Sequence, residues 1–228
     1  MTVEHNVLPR VMSLAVHELR TPVTVVAGYL RMLLREQAGP LNEKQKKMLE
    51  EADRSCGRLG SLVSEMSDFG KLEGREIAIA RQDFDLAALA AELASGMQEG
   101  SDRGVHLDVR CASPTIVNGD KNRISAAVKA LIYSALRERG EPGTVIVECT
   151  AVTGSPAWAV IAIGDDAAIA TLANTAHGTP PSFDEWRGGL GLALPVARRV
   201  IEAHGGAVWS GDAGQSRAAS ALRLPLRT

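Results

Sequence analysis

At 228 residues, of which 45% are hydrophobic but only 4% aromatic, the chain can form two modest domains with cores of aliphatic side chains. The formal net charge of -2 argues against a nucleic acid partner, and the lack of an apolar run of about 18 residues or a signal-peptide core predicts a cytoplasmic chain without a membrane segment. Cys56, Cys111 and Cys149 are odd in number and widely spaced, which predicts buried thiols in a reducing compartment.

Two apolar seams with the heptad spacing of packed helices occupy the first part of the chain. Gly39 and Pro40 separate the seams, and Asn42 is the predicted N-cap of the second helix. Because so short a connection makes neighbouring helices antiparallel, we predict a helical hairpin over residues 1–73. The seam residues are Met12, Val16, Leu19, Val23, Val26, Leu30 and Leu33, then Leu49, Ala52, Cys56, Leu59, Val63 and Met66.

A single hairpin buries only one face of each helix. The free energy gained from so little buried apolar area is small against the cost of the chain entropy that is lost on folding. Two hairpins packed as a four-helix bundle would bury a second face. We therefore predict a homodimer through residues 1–73.

After Gly74 the short apolar alternation of Ile77 and Ile79 indicates a linker or an edge strand, and a second domain is predicted over residues 83–228. Strands joined by hairpin turns, with helices elsewhere in the sequence, favour an α+β sandwich of one sheet and one helical layer. In chain order the predicted elements are a helix at 84–104, a strand at 105–111, a helix at 119–140 capped near Asp120, strands at 144–152 and 157–166, a helix at 191–206, and strands at 207–211 and 220–226.

A proline interrupts the first helix five residues after a histidine, within the sequence HELRTP at 17–22. Pro22 leaves the carbonyl of Glu18 without its usual backbone donor and is expected to bend the helix. His17 lies just outside the seam and faces water, and Thr21, four residues on, shares its face. A lone surface histidine is ordinarily only a surface residue, but here it stands in a specific context.

The sequence HELRTP at the start of a dimerising hairpin resembles the phosphoacceptor box of two-component sensor histidine kinases. The resemblance extends across nearly the whole chain. VNGDKNRI precedes the first long helix of the second domain, FDEW is similar to the family's phenylalanine box, and GGLGLALPVARRVIEAHGG is similar to its second glycine box.

The resemblance implies an N-terminal antiparallel helical hairpin that forms a dimeric four-helix bundle, followed by an α/β sandwich of the histidine-kinase ATP-binding type. It implies that His17 takes a phosphoryl group from ATP and passes it to an aspartate of a response-regulator receiver domain. Glu18 would hydrogen-bond the other ring nitrogen as a general base, and Thr21 would orient a water for the reverse, phosphatase reaction. Arg20 fits either a phosphate neighbour or a solvated charge.

The resemblance also assigns ATP and magnesium to the second domain, where several residues depart from the family pattern. Ser134 stands at the position of a magnesium-binding asparagine, and Ala130 at that of an earlier asparagine. A serine hydroxyl is too short to replace the missing carbonyl ligand. Asp165 is retained as the candidate adenine-reading aspartate, but Ala167 and Ile169 replace glycines, which predicts strain or a rebuilt loop.

Three further residues could still approach phosphates. Gly189 and Gly191 would do so through backbone amides at a helix start, and Arg137 through its guanidinium group. Each also has a structural alternative, since glycines can serve a tight helix entry and an arginine can be a solvated helix residue. Only DEWRG separates Phe183 from the GLGL sequence, so the segment over the triphosphate is expected to be short.

These departures leave two functions open. In the first, the chain is a histidine kinase core that autophosphorylates His17 with ATP and magnesium. In the second, it is an ATP-incompetent phosphotransfer module whose second domain serves as a docking scaffold. A third possibility, a hairpin used only for dimerisation, is disfavoured by the intact HELRTP sequence.

Overall fold

The structure, a computed structural model, describes residues 7–74, 77–98, 100–111, 114–187, 191–211 and 219–227. The chain divides into two compact units, Met1–Ile77 and Ala78–Thr228. Among the described residues, no helix combines the length and the apolar character that crossing a membrane would require.

The first unit is a hairpin of two helices, α1 (Val7–Leu34) and α2 (Glu43–Glu73). Asn42 caps α2 as predicted: its side chain accepts a hydrogen bond from the Gln45 amide, and the Gln45 side chain returns one to the Asn42 amide. The Cys56 thiol lies 3.5 Å from the Val23 carbonyl oxygen, and the end of α2 lies against the start of α1. These contacts confirm the antiparallel arrangement.

Only part of each predicted seam is buried in a single protomer. Val16, Cys56 and Val63 are buried between the helices. Leu19, Val26 and Leu59, which the heptad spacing also assigns to the seam, are about half exposed. The hairpin therefore presents a second apolar stripe that its own helices do not cover.

The second unit contains a five-stranded sheet and a two-stranded sheet. Among the described residues the strands are β1 (Gln82–Asp85), β2 (Val105–Arg110), β3 (Ile116–Gly119), β4 (Gly143–Val152), β5 (Trp158–Gly164), β6 (Ala207–Ser210) and β7 (Ser220–Pro225). The larger sheet has the order β2-β4-β5-β7-β6, in which β2 and β4 are parallel and the other neighbours antiparallel, and β1 pairs with β3 in the smaller sheet. The helices are α3 (Leu86–Ser95), α4 (Lys121–Glu138), α5 (Asp166–Asn174) and α6 (Ala193–Ala203).

Helices contact the large sheet on both faces. Along β5, Val160 and Ala162 point to one face and pack with Ala168, Ile169 and Leu172 of α5. The alternate residues of β5 point to the opposite face and are buried too, and α4, which contacts α3 and α6, packs against β5. The predicted α+β class is confirmed, but the prediction of one helical layer missed α5.

One further prediction needs correction. The predicted helix at 84–104 is shorter, because Phe84 belongs to β1 and α3 ends at Ser95 before Gly96. The chain then continues through Gly100 and Gly104, both at positive φ, around a short 3₁₀ turn. Ile77 and Ile79 are in no strand, so the linker interpretation of that segment holds.

Candidate functional site

His17 lies on the exposed side of α1, with 81% of its side chain accessible. Its Nδ1 lies 3.2 Å from Oε1 of Glu18, so a proton on Nδ1 would be donated to that carboxylate. In the neutral tautomer that carries its proton on Nδ1, Nε2 has the lone pair that can act as a nucleophile. Glu18 thus lies beside one of the two ring nitrogens, Nδ1.

The imidazole borders a cleft of about 220 Å³ between the two helices of the hairpin. Arg20 from α1 and Lys71 from α2 place two cationic side chains along this cleft, and Ser13 and Ser67 add hydroxyl groups. Guanidinium, ammonium and hydroxyl groups are donors that suit phosphate oxygens. These donors and the His17 side chain line the same cleft, which therefore suits an anionic group.

The end of α2 reaches this site because α1 and α2 pack closely. Gly70 is buried, and a Cβ atom placed on it would lie 3.4 Å from the Met12 Cβ atom. The end of α2 thus packs against the first turns of α1 at Gly70. Sequence reasoning missed Lys71 and Ser67, although antiparallel pairing of the two predicted helices would have placed them opposite the turns before His17.

Thr21 and Pro22 follow His17 on the exposed surface of α1. The helix continues through Pro22, which confirms that the proline is an interior helix residue. Thr21 lies one turn after His17, on the face that the sequence predicts.

The residue at the family's magnesium position is buried within the second unit. Ser134 of α4 is fully buried, and its hydroxyl donates to Oε1 of Glu138 over 3.1 Å. The same oxygen lies 3.7 Å from Nε of Arg187, whose side chain is 6% exposed. Arg187 also donates to the Ser210 hydroxyl and to the Ala219 carbonyl, and burial lowers its pKa. Ser134, Glu138 and Arg187 thus form a continuous polar chain.

The candidate adenine-reading aspartate serves as a helix cap in the structure. Asp165 follows the end of β5 and caps α5, and its carboxylate accepts a hydrogen bond of 3.0 Å from the Ala168 amide. Ala167 is exposed in the first turn of α5, and Ile169 is buried against the sheet. These substitutions predict a rebuilt loop, and at this place the chain forms the helix α5.

The remaining predicted nucleotide contacts are dispersed. Arg137 is exposed in the last turn of α4, where its carbonyl accepts a hydrogen bond from Arg103. Gly191 precedes α6 with φ of 64°, a conformation that favours glycine. Gly189 lies outside the described residues.

The residues described at the magnesium position do not fit a magnesium-bound nucleotide. A magnesium ion needs oxygen ligands that it can reach, and the Ser134 hydroxyl is fully buried beside Glu138. The Glu138 carboxylate faces the guanidinium group of Arg187, whose positive charge would repel a divalent cation. The guanidinium group of Arg187 thus places a positive charge beside Glu138, where a bound cation would otherwise place one.

Comparisons with known proteins agree with the sequence resemblance. The family described as His Kinase A (phospho-acceptor) domain matches residues 10–75. The circadian input-output histidine kinase CikA of Synechococcus elongatus is 27% identical over 209 residues, which cover 83% of this chain and 26% of CikA. The sensor protein DivL of Caulobacter vibrioides is 26% identical over 198 residues, covering 83% of this chain and 24% of DivL. The chain thus spans about a quarter of the length of these relatives.

A solved structure shares the fold of the whole chain. Full-length ShkA, crystallised in complex with AMPPNP, superposes with a TM-score of 0.72 at 21% identity, covering 96% of this chain and 46% of ShkA. The match at 10–75 shows a phosphoacceptor domain of the His Kinase A family in this part of the chain, and the likeness to ShkA, at 21% identity, shows a shared fold.

Proposed function

We propose that this chain is a phosphoryl-transfer module of two-component signalling, in which His17 exchanges a phosphoryl group with an aspartate of a response-regulator receiver domain. The observation that carries this proposal is the exposed imidazole, oriented by Glu18 at a cleft with two cationic side chains. Homology to histidine kinases supports the same class of chemistry. The receiver domain and the roles of single residues are proposals.

The geometry suggests how the transfer would proceed. Nε2 of His17 attacks the phosphorus of an aspartyl phosphate, and the bond from phosphorus to the aspartate oxygen breaks with its electrons left on the carboxylate. Glu18 accepts the Nδ1 proton as positive charge develops on the ring. Arg20 and Lys71 stabilise the charge on the phosphoryl oxygens. Thr21 would orient water when the phosphoryl group is hydrolysed.

The donor that we propose is the receiver domain rather than ATP. Autophosphorylation is what the family resemblance implies, but the described residues do not fit the magnesium ion that this reaction uses. Because the acid, the histidine and the cleft lie within the hairpin, transfer from an aspartyl phosphate needs no nucleotide. The second unit would then act as a scaffold for docking.

A labelling experiment with two donors tests this proposal. The protein is incubated either with γ-labelled ATP and magnesium, or with a panel of receiver domains from the source organism that have been loaded from labelled acetyl phosphate. We expect acid-labile label on the protein from at least one receiver domain and none above background from ATP. Label from ATP alone would overturn the choice of donor, and label from neither would overturn the proposed function.

We further propose that two hairpins associate as a four-helix bundle. The exposed apolar stripe contains Leu19 and Val26 of α1 together with Leu59 of α2, and Leu14 and Tyr29 are exposed along α1 as well. An exposed apolar stripe of this length is typical of a surface that another protein covers. A symmetric second hairpin presents the same stripe and covers both copies.

Light scattering coupled to size exclusion tests the dimer. Wild-type protein is expected at twice the 24.1 kDa chain mass. In a Val26→Glu, Leu59→Glu double variant, the dissociation constant of the dimer should rise at least ~100-fold, because two charges replace aliphatic side chains that the proposed interface buries. Lys47→Glu, an exposed change on α2, is the matched control and should stay dimeric. A wild-type mass of one chain would contradict the dimer.

A further inference from the structure

Two of the three cysteines, which are 38 positions apart in the sequence, are neighbours at the parallel edge of the large sheet. The pairing of β2 with β4 ends with Arg110 beside Glu148, so Cys149 is the next residue of β4 and Cys111 is the residue that follows β2. Neighbouring strands are about 4.8 Å apart. That spacing lies within the Cα separation of about 4.4 to 6.8 Å that disulfides require.

Cys111 and Cys149 both line an open cavity of about 670 Å³ beside these strands. Cys149 is buried, and its Sγ lies 3.8 Å from the Thr115 hydroxyl. Cys111 is partly exposed, and its Sγ lies 3.9 Å from the Val147 carbonyl. The pair therefore combines one thiol that solvent can reach with a second thiol directly behind it.

The chemical environments of the two sulfurs differ. The pKa of Cys111 is lowered, first of all by a hydrogen bond with the Cys149 side chain. The pKa of Cys149 is raised by the same hydrogen bond and by burial. The more accessible sulfur is thus also the one that more readily forms a thiolate, which is the nucleophilic form of cysteine.

We propose that Cys111 and Cys149 are an oxidisable dithiol site that peroxides convert to an intramolecular disulfide. The Cys111 thiolate attacks one oxygen of the peroxide, whose O–O bond breaks, giving a sulfenic acid and hydroxide. The Cys149 sulfur then attacks the Cys111 sulfur, an S–S bond forms, and the hydroxyl group leaves as water with the Cys149 proton. Two thiols lose two electrons and two protons, and hydrogen peroxide becomes two waters.

This disulfide would act on the junction between the sheet and α3. The Asp85 carboxylate accepts hydrogen bonds from the Thr115 amide and from the Ala87 amide at the start of α3. The Cys149 thiol contacts the same Thr115 residue. Bonding to Cys111 would redirect the Cys149 sulfur and join β2 to β4 covalently. Oxidation of the two thiols would therefore act on the segment that holds the start of α3.

Thiol titration and peptide mapping of the full chain test this proposal. We use a Cys56→Ala background, because Cys56 is buried in the hairpin and contributes a third thiol. After treatment with hydrogen peroxide and unfolding in an alkylating agent, we expect both remaining thiols to be lost and a proteolytic fragment joining Cys111 to Cys149. Dithiothreitol should restore both thiols.

A Cys149→Ser variant and a Cys111→Ser variant are the controls. Neither should give the cross-linked fragment, and the first should accumulate sulfenic acid that dimedone captures at Cys111. The proposal is overturned if both thiols survive peroxide in the background protein. It is equally overturned if Cys111 is oxidised to sulfinic acid or cross-links two chains while Cys149 stays free.

Discussion

Replacing His17 by glutamine is expected to abolish phosphoryl transfer from a phosphorylated receiver domain, with a loss of at least ~10³-fold in rate. Glutamine keeps a polar side chain of similar size but offers no ring nitrogen that can form the phosphorus–nitrogen bond. Removing a nucleophile from a catalytic unit typically costs several powers of ten in rate. Because the His17 side chain is 81% exposed, the stability of the hairpin should change by less than about 0.5 kcal/mol.

The matched control is His106→Gln, which changes an exposed histidine on β2 of the second unit. It should transfer at the wild-type rate. Transfer assays with stoichiometric labelled receiver domain, followed over time, measure both variants. If the His17 variant still accepts label at the wild-type rate, another residue is the acceptor and the role of the cleft is refuted.

Replacing Arg187 by methionine is expected to destabilise the second unit by about 3 kcal/mol. The change removes the cation that faces Glu138 and the hydrogen bonds to Ser210 and Ala219, within a site where little water can compensate. Breaking one partner of a buried ion pair typically costs 3–5 kcal/mol. For a unit of this size, the melting temperature should fall by about 6–12 °C.

Arg137→Met is the matched control, because Arg137 lies exposed in the last turn of the same helix as Glu138. Its melting temperature should stay within about 2 °C of wild type. Adding Glu138→Gln to Arg187→Met should recover part of the loss, since no unpaired carboxylate then remains. A wild-type melting temperature for Arg187→Met would show that the polar chain at the magnesium position has no structural role.

The hairpin could be predicted from the sequence because its determinants are local. Heptad spacing, the Gly39–Pro40 break and the Asn42 cap each act within a few residues, and the structure confirms the two helices that they define. The exposure of His17 follows from its place beside the seam. Lys71 was missed because its place at the cleft depends on how α1 and α2 pair, which involves residues far apart in sequence.

The second unit could be predicted less completely from the sequence, because its structure depends on contacts between residues far apart in the chain. The substitutions at Ala167 and Ile169 predicted an altered loop, but the burial of Ile169 against the sheet, which makes the segment a helix, depends on strands distant in sequence. Likewise, the sequence identified Ser134 as an exception but not its partners. Glu138 lies one turn away and Arg187 some fifty residues later, and only folding brings the three together.

The most direct test of the account is to map the phosphorylated residue after transfer in the absence of any nucleotide. A receiver domain loaded from acetyl phosphate is mixed with the full chain, and the products are digested at neutral or alkaline pH and analysed by mass spectrometry. The account predicts one phosphopeptide, with the phosphoryl group on His17. A phosphoryl group on a different residue, or phosphorylation of His17 only when ATP and magnesium are supplied, would contradict it.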